Sequence, residues 1–258
     1  MVPPAAANAT CEAPDTLVHF NAPLPKFTAA LAGGQPVSII ALGSSSTQGV
    51  GASSPKASYP VKLQAELRRR FPGSTIKVEN MGVGGQLATH MLKRIKKDVI
   101  ARKPTLVIWQ TGVNDALRGV PLDKFRATVV SGIEQMQQAG IDIVLLDMQY
   151  YPRSEKVSSF PPYLASIRQI AEQRGIPVLR RYAIMKHLVS SAQYTAQQLL
   201  AADGFHLSDT GYGCLGRIVA EALQDEVGDA FTPQKAVVQM KYSAETAKRA
   251  GTLKAPLR

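Results

Sequence analysis

The apolar positions of this chain fall into short dense runs that alternate with longer amphipathic stretches. Val37-Ser38-Ile39-Ile40-Ala41-Leu42 is the first run, nearly continuous in its hydrophobicity, as a strand covered on both faces requires. Tyr59, Leu63 and Leu67 then recur at helical spacing and predict a helix over 59–70. The alternation continues with strands over 75–80, 105–109 and 141–146, followed by helices over 87–101, 122–139 and 162–174. A short strand over 176–179 contains Pro177, which suits an edge or a strand start. Helical segments over 182–190 and 213–225 complete the pattern. Strands that alternate with helices imply an α/β fold, a parallel sheet with helices on both faces. The expected organisation is one domain over 36–226, an Ala- and Pro-rich N-terminal arm over 1–35, and a basic C-terminal tail over 227–258.

In such a sheet, ligands bind outside the carboxyl ends of the strands. The polar segments fall in those places: Gly43–Gly51 after the first strand, Asn80–Gln86 after the second, Gln110–Asp115 after the third and Met148–Pro152 after the fourth. These loops are expected to share one rim.

Composition changes this picture little. Of 258 residues, 45% are apolar and 19% charged, which suits a folded core and argues against disorder. Lys and Arg total 30 against 19 Asp and Glu, a formal charge of +11, so the location of the excess matters. One group runs from Lys93-Arg94-Ile95-Lys96-Lys97 to Arg102-Lys103, on a helix whose inward face is Leu92, Ile95, Val99 and Ile100. Its lysines and arginines are then the solvated side. A second group (Lys235, Lys241, Lys248, Arg249, Lys254, Arg258) lies in the tail. Neither interleaves aromatics for base stacking, so the charge reads as solubility or an anionic surface and not as specific nucleic-acid binding.

No run reaches transmembrane length. Val2-Pro3-Pro4-Ala5-Ala6-Ala7-Asn8-Ala9-Thr10 reads like the segment after a removed signal peptide, so a periplasmic or secreted protein is expected, with a cytoplasmic one as the alternative. The two cysteines, Cys11 and Cys214, admit two readings: free thiols, or one disulfide tying the arm to the last helix.

The candidate chemistry starts with a serine. A serine hydroxyl is a poor nucleophile until a base takes its proton, and the base needs an orienting group. The loop after the first strand offers Ser44, Ser45 and Ser46. Of the four histidines, His19 lies in the arm, and His90 and His187 lie in helical segments without a carboxylate at useful spacing. Asp203-Gly204-Phe205-His206 differs, because its turn can bring Asp203 onto Nδ1 of His206 and leave Nε2 free for a serine. Glycines at Gly82, Gly84 and Gly85 and the side chain of Asn114 are candidate donors to an oxyanion. The histidines lack ligand spacing and the cysteines stand far apart in sequence, so neither a metal nor a cofactor is expected.

At these four segments the chain resembles the SGNH hydrolases, also called the GDSL esterase/lipase family. Gly43-Ser44-Ser45-Ser46-Thr47-Gln48-Gly49 is similar to block one, Gly-Asp-Ser-x-x-x-Gly, with the nucleophile at Ser45. Gly85 aligns with the block-two glycine, Gly112-Val113-Asn114-Asp115 with block three, and Asp203-Gly204-Phe205-His206 with block five. The resemblance spans about 37–225. It departs from the pattern at Ser44, where the family commonly has Asp, and at Gln86-Leu87, where it commonly has Asp-Thr.

The resemblance implies a flavodoxin-like three-layer α/β/α sandwich of about five parallel strands and ester hydrolysis through an acyl-enzyme. Ser45 would attack, His206 would act as base and then acid, and Asp203 would orient it. The N–H of Ser45, the N–H of Gly85 and the Asn114 side chain would hold the oxyanion. Tyr150 and Tyr151 would wall the substrate pocket. The absence of a long apolar lid favours small, short-chain or polar esters, carbohydrate O-acetyl esters among them. An O-acyltransferase, or a thioesterase or lysophospholipase, would use the same triad. From another class, a flavin- or phosphate-binding flavodoxin-like protein would explain the first loop but leave Gly112–Asp115 and Asp203–His206 without a role.

Overall fold

The computed structural model describes residues 10–228. In chain order the elements are α1 (Asp15–Val18), α2 (Pro25–Ala32), β1 (Val37–Gly43), α3 (Ser45–Gln48), α4 (Tyr59–Arg70), β2 (Ile76–Gly82), α5 (Ala88–Asp98), β3 (Leu106–Gln110), α6 (Val113–Leu117), α7 (Leu122–Gln138), β4 (Asp142–Leu146), α8 (Phe160–Arg174), β5 (Val178–Leu179), α9 (Arg181–Ser190), α10 (Ala196–Leu199) and α11 (Asp209–Val227). Every strand pairing is parallel and the order is β2-β1-β3-β4-β5. This is the flavodoxin-like order. Successive strands turn left from β1 to β2 and then right to β3, so with right-handed crossovers α4 lies on one face and α5, α7 and α8 on the other. α11 packs against α4, while α5 packs on α7 and α7 on α8.

The strands read as they bury. β3 and β4 are buried at every position and β1 at all but one, whereas β2, at the edge, is buried only at Ile76. β5, with Pro177 just before it, is the short opposite edge. Trp109 of β3 is fully buried, and its indole N–H points at the Met91 sulfur of α5.

The described part of the N-terminal arm is fastened to the domain. Phe27 of α2 is fully buried, its ring edge-on to Phe71, and its N–H donates to the Asp142 carboxylate at the start of β4. Burial pushes the Asp142 carboxyl up, against the opposing pull of backbone donors from Phe27 and Lys26. Leu24 N–H donates to Glu226 of α11. Cys11 and Cys214 form a disulfide with 5.3 Å between their Cα atoms, joining the arm to α11. The tail residues Lys235, Lys241, Lys248, Arg249, Lys254 and Arg258 lie outside the described residues, as does most of the 2–10 segment.

The charged helix needs one correction. On α5, Lys93, Lys96 and Lys97 are exposed, as an outward face requires, but Arg94 turns inward. Its side chain is only 13% exposed. It donates to the carbonyls of Gly43 and Met81 and to the Gln86 side chain, with Asp98 as its ion partner. One arginine of this charged helix therefore braces the carboxyl ends of β1 and β2 instead of facing water.

Candidate active site

The topological switch point of this sheet lies between β1 and β3, where the crossovers leave in opposite directions and open a crevice. The polar loops meet there. Gly84 N–H donates to the Gln48 side chain, the Asn114 amide donates to the Gln86 carbonyl, and the Ser46 hydroxyl donates to the Gln149 side chain. Loops after β1, β2, β3 and β4 thus share one rim.

The serine loop is the N-terminus of α3, a helix of one turn. Of its three serines, two are committed to support. Ser44 donates to Gln110 Oε1 through both its N–H and its hydroxyl, and Thr47 donates to the same oxygen. Gln110 is buried at the end of β3, so its one carbonyl oxygen gathers three donors under the loop. This is what supports the turn where Ser44 replaces the more common Asp. Ser46 faces Gln149. Ser45 alone faces His206, with 2.9 Å between Oγ and Nε2.

His206 and Asp203 come from a single turn. Oδ1 of Asp203 accepts the N–H groups of Phe205 and His206, both at 2.9 Å, which is an Asx turn closed by the side chain. Oδ2 lies 2.6 Å from His206 Nδ1. A carboxylate accepts only, so Nδ1 carries the proton and Nε2 presents its lone pair to the Ser45 hydroxyl. Burial works to raise the Asp203 carboxyl, but the hydrogen bonds from the His206 side chain and from two backbone N–H groups outweigh it and hold the group below the ordinary carboxylate range. The loop is held from outside as well: Ala201 N–H donates to the His206 carbonyl, and Leu200 bridges Leu207.

Gly51 allows this loop to come so close. Its φ is +90°, and a Cβ there would stand 2.8 Å from the Leu207 carbonyl oxygen and 2.9 Å from the His206 Cβ. Only glycine fits that space and that backbone region. The neighbouring chain is pinned to the start of α11, where Asp209 accepts from the Ser53 N–H and hydroxyl, and the Tyr212 hydroxyl donates to the Val50 carbonyl.

The candidate oxyanion donors lie on the loops after β1, β2 and β3. The Ser45 N–H belongs to the first turn of α3, where helix N–H groups lack intrahelical partners. Gly85 has φ +72°, and the Arg118 guanidinium lies 3.3 Å from where a Cβ would be. One hydrogen of the half-buried Asn114 amide goes to the Gln86 carbonyl at 2.8 Å, leaving the other free. Asp115, next in chain, is buried and accepts the Ala88 N–H at the start of α5, with burial raising its carboxyl.

Tyr150 and Tyr151 are both buried. Tyr151 packs edge-on against Phe205, with centroids 5.0 Å apart, and Phe205 packs edge-on against the His206 ring at 4.8 Å. Tyr151 thus reaches the site through Phe205, whereas the Tyr150 ring contacts Tyr182. The other histidines have other partners: His19 faces Asp225 across 3.6 Å, His90 accepts the Leu87 N–H, and the His187 carbonyl takes donors at the end of α9. No cluster of three potential metal ligands occurs among the described residues.

Sequence reasoning overlooked Gln110, Gln149, Gly51 and Arg181, and placed Arg94 on the solvated face. Arg181, at the start of α9, is fully buried, and its Nε–H donates to the Asp147 carbonyl. Burial lowers its guanidinium to about 10 and raises the Asp147 carboxyl to about 6, each opposed by the charge of the other. Glutamine at the carboxyl end of a strand is the one signal available for Gln110 and Gln149, and it is a weak one.

A parallel sheet in this strand order, with Ser45, His206 and Asp203 brought into line at its switch point, places the molecule in the SGNH hydrolase class of serine ester hydrolases. The chain belongs to the non-GDSL lipase-like family, which it matches over residues 10–229, in keeping with a first block that lacks the Asp of Gly-Asp-Ser. It is 26% identical over 183 residues to an acetylxylan esterase of Geobacillus stearothermophilus, covering 66% of this chain and 80% of that protein. A two-domain esterase active on acetylated mannans shares the fold with a TM-score of 0.67 at 20% identity; the match covers 81% of this chain and 54% of that one, so this chain spans about half its length. A lipase/acylhydrolase from Enterococcus faecalis matches with a TM-score of 0.60 at 23% identity over 73% of this chain and 96% of its own.

Proposed function

We propose that this protein is a serine esterase that cleaves small carboxylic esters through an acyl-enzyme, with carbohydrate O-acetyl esters as its substrate class. The observation that carries the reading is the continuous chain from Ser45 Oγ to His206 Nε2 at 2.9 Å and from His206 Nδ1 to Asp203 at 2.6 Å. Ser45 attacks the ester carbonyl while Nε2 takes its proton. The Asp203 carboxylate stabilises the imidazolium, which then delivers the proton to the departing alcohol oxygen. Water repeats the sequence on the acyl-enzyme and frees the acid. The N–H groups of Ser45 and Gly85 and the Asn114 amide receive the negative oxygen of each tetrahedral intermediate, and such a donor is worth about 3 kcal/mol in transition-state stabilisation.

Two features support the substrate class. The acetylxylan esterase relative and the acetylated-mannan esterase are similar to this chain over most of its length. A cavity of about 330 Å³ lined by Pro152, Arg153, Gln197, Leu200, Ala201 and Gly204 opens beside the Asp203 turn and offers room for a sugar. Tyr151, with Phe205, backs the wall next to His206, and Tyr150 supports that layer from Tyr182. The Cys11–Cys214 disulfide supports export to the periplasm or beyond, since such bonds persist in oxidising compartments.

The test is hydrolysis of p-nitrophenyl esters from acetate to palmitate and of acetylated xylan and mannan. Acetyl esters are expected to turn over fastest, and Ser45→Ala and His206→Ala to lower kcat by about 10³-fold or more. Turnover retained in Ser45→Ala would sink the mechanism.

A further inference from the structure

The reacting pair is assembled from two loops 161 residues apart in sequence, and neither loop is a long rigid element. α3 is a single turn, and the Asp203–His206 segment is closed mainly by its own side chain. Something must hold these two pieces at hydrogen-bond distance before substrate arrives. One side chain touches both.

Gln149, just past the end of β4, is 1% exposed. Its Oε1 accepts the Ser46 hydroxyl at 2.9 Å, next to the proposed nucleophile. Its Nε2 donates to the Phe205 carbonyl at 3.4 Å, a long bond. That carbonyl belongs to the peptide unit whose N–H, from His206, donates to Asp203. The unit carrying the base is therefore held at its nitrogen end by Asp203 and at its oxygen end by Gln149.

The amide orientation is not free. Arg181 places its NH2 group 3.3 Å from the same Oε1. A guanidinium only donates, so turning the amide over would set donor against donor in a buried site. Arg181 is itself anchored by its Nε–H to the Asp147 carbonyl at 2.9 Å. The order runs from sheet end to arginine to amide to both loops.

We infer that Gln149 is a positioning residue that ties the Ser45 turn to the His206 loop, with Arg181 setting its orientation. This rests on the reading of Ser45 and His206 as the reacting pair. Because Gln149 does not touch the substrate, its loss is expected to act on kcat and leave KM alone.

Gln149→Ala and Gln149→Glu test this. The Glu variant keeps the length and the acceptors for Ser46 and Arg181, but when ionised it offers the Phe205 carbonyl no donor. With p-nitrophenyl acetate, well below each variant's Tm, kcat is expected to fall about ten-fold or more with KM within about two-fold, a loss of about 1.4 kcal/mol in barrier height. Hydrogen exchange is expected to quicken over 44–48 and 200–207 and stay unchanged in β1 and β3. A folded Gln149→Glu variant with wild-type kcat overturns the inference, and so does exchange that rises evenly across the sheet. If Gln149→Ala fails to fold, Gln149→Glu and Ser46→Ala, which removes only one of the two ties, carry the comparison. Ser45→Ala in the same assay separates the two failures: retained turnover there defeats the reading of the site, while exchange in the two loops still decides whether Gln149 joins them.

Discussion

Asp203 does two jobs with two oxygens, and the division of labour follows from its place three residues before His206. Oδ1 closes the turn through two backbone N–H groups and Oδ2 orients the imidazole. In Asp203→Asn the amide can still close the turn with its oxygen, but it then turns an N–H₂ toward Nδ1 and selects the wrong tautomer. The expected loss is about 10²–10⁴-fold in kcat with little change in KM, read from initial rates on p-nitrophenyl acetate. The lowered position of the Asp203 carboxyl also has a sign for stability. Its hydrogen bonds favour the folded state fully above the unfolded carboxylate value near 3.9, and that contribution is lost as pH falls through the lower folded value. Asp203 and His206 were legible because four residues of sequence hold the whole unit. The choice of Ser45 among three adjacent serines was carried by resemblance, and it took geometry to show Ser44 on Gln110 and Ser46 on Gln149.

At the scale of elements, the long helices were readable and the one-turn helices were not. β1, β3 and β4 declare themselves as dense apolar runs, and the helices α4, α7 and α8 by apolar positions at helical spacing. α3, α6 and α10 are four or five residues long, too short to show a period or to be stable alone, and exist because neighbouring loops hold them. Arg94 was placed outward for a related reason: periodicity marks an apolar face, and an arginine at its margin can reach carbonyls that no pattern reveals. Close approach between loops is equally silent in sequence. Gly51→Ala is expected to push the His206 loop away from Ser45, because the added carbon meets the Leu207 carbonyl and the His206 Cβ. Activity should drop by about ten-fold or more while the circular dichroism spectrum stays that of a folded α/β protein. Wild-type activity in that variant would mean that the loop adjusts without loss.

For the molecule as a whole, the disulfide closes a long loop, since Cys11 and Cys214 stand 203 residues apart in a chain of 258. By loop entropy such a closure contributes roughly 5 kcal/mol at most. In a protein of this size each kcal/mol shifts Tm by about 2–4 °C. Reduction, or Cys11→Ser with Cys214→Ser, is therefore expected to lower Tm by up to about 10–20 °C in calorimetry. Esterase activity at 25 °C should persist, because neither sulfur touches the site residues. An unchanged Tm would show that the buried Phe27 and the backbone bonds of the arm suffice without the covalent tie.

What the sequence determined by itself was local or periodic: strand and helix order, hence a parallel sheet with a rim of polar loops, and a histidine delivered with its own carboxylate. These depend on residues within one turn or one element of each other. The tertiary structure decided everything that joins distant segments: which serine meets His206, that the cysteines pair, that Gln110 gathers the donors of Ser44 and Thr47, and that Gln149 touches both loops. Such contacts are set by strand order and crossover direction, which bring residues 45, 85, 114, 149 and 206 to one crevice although no local rule relates them.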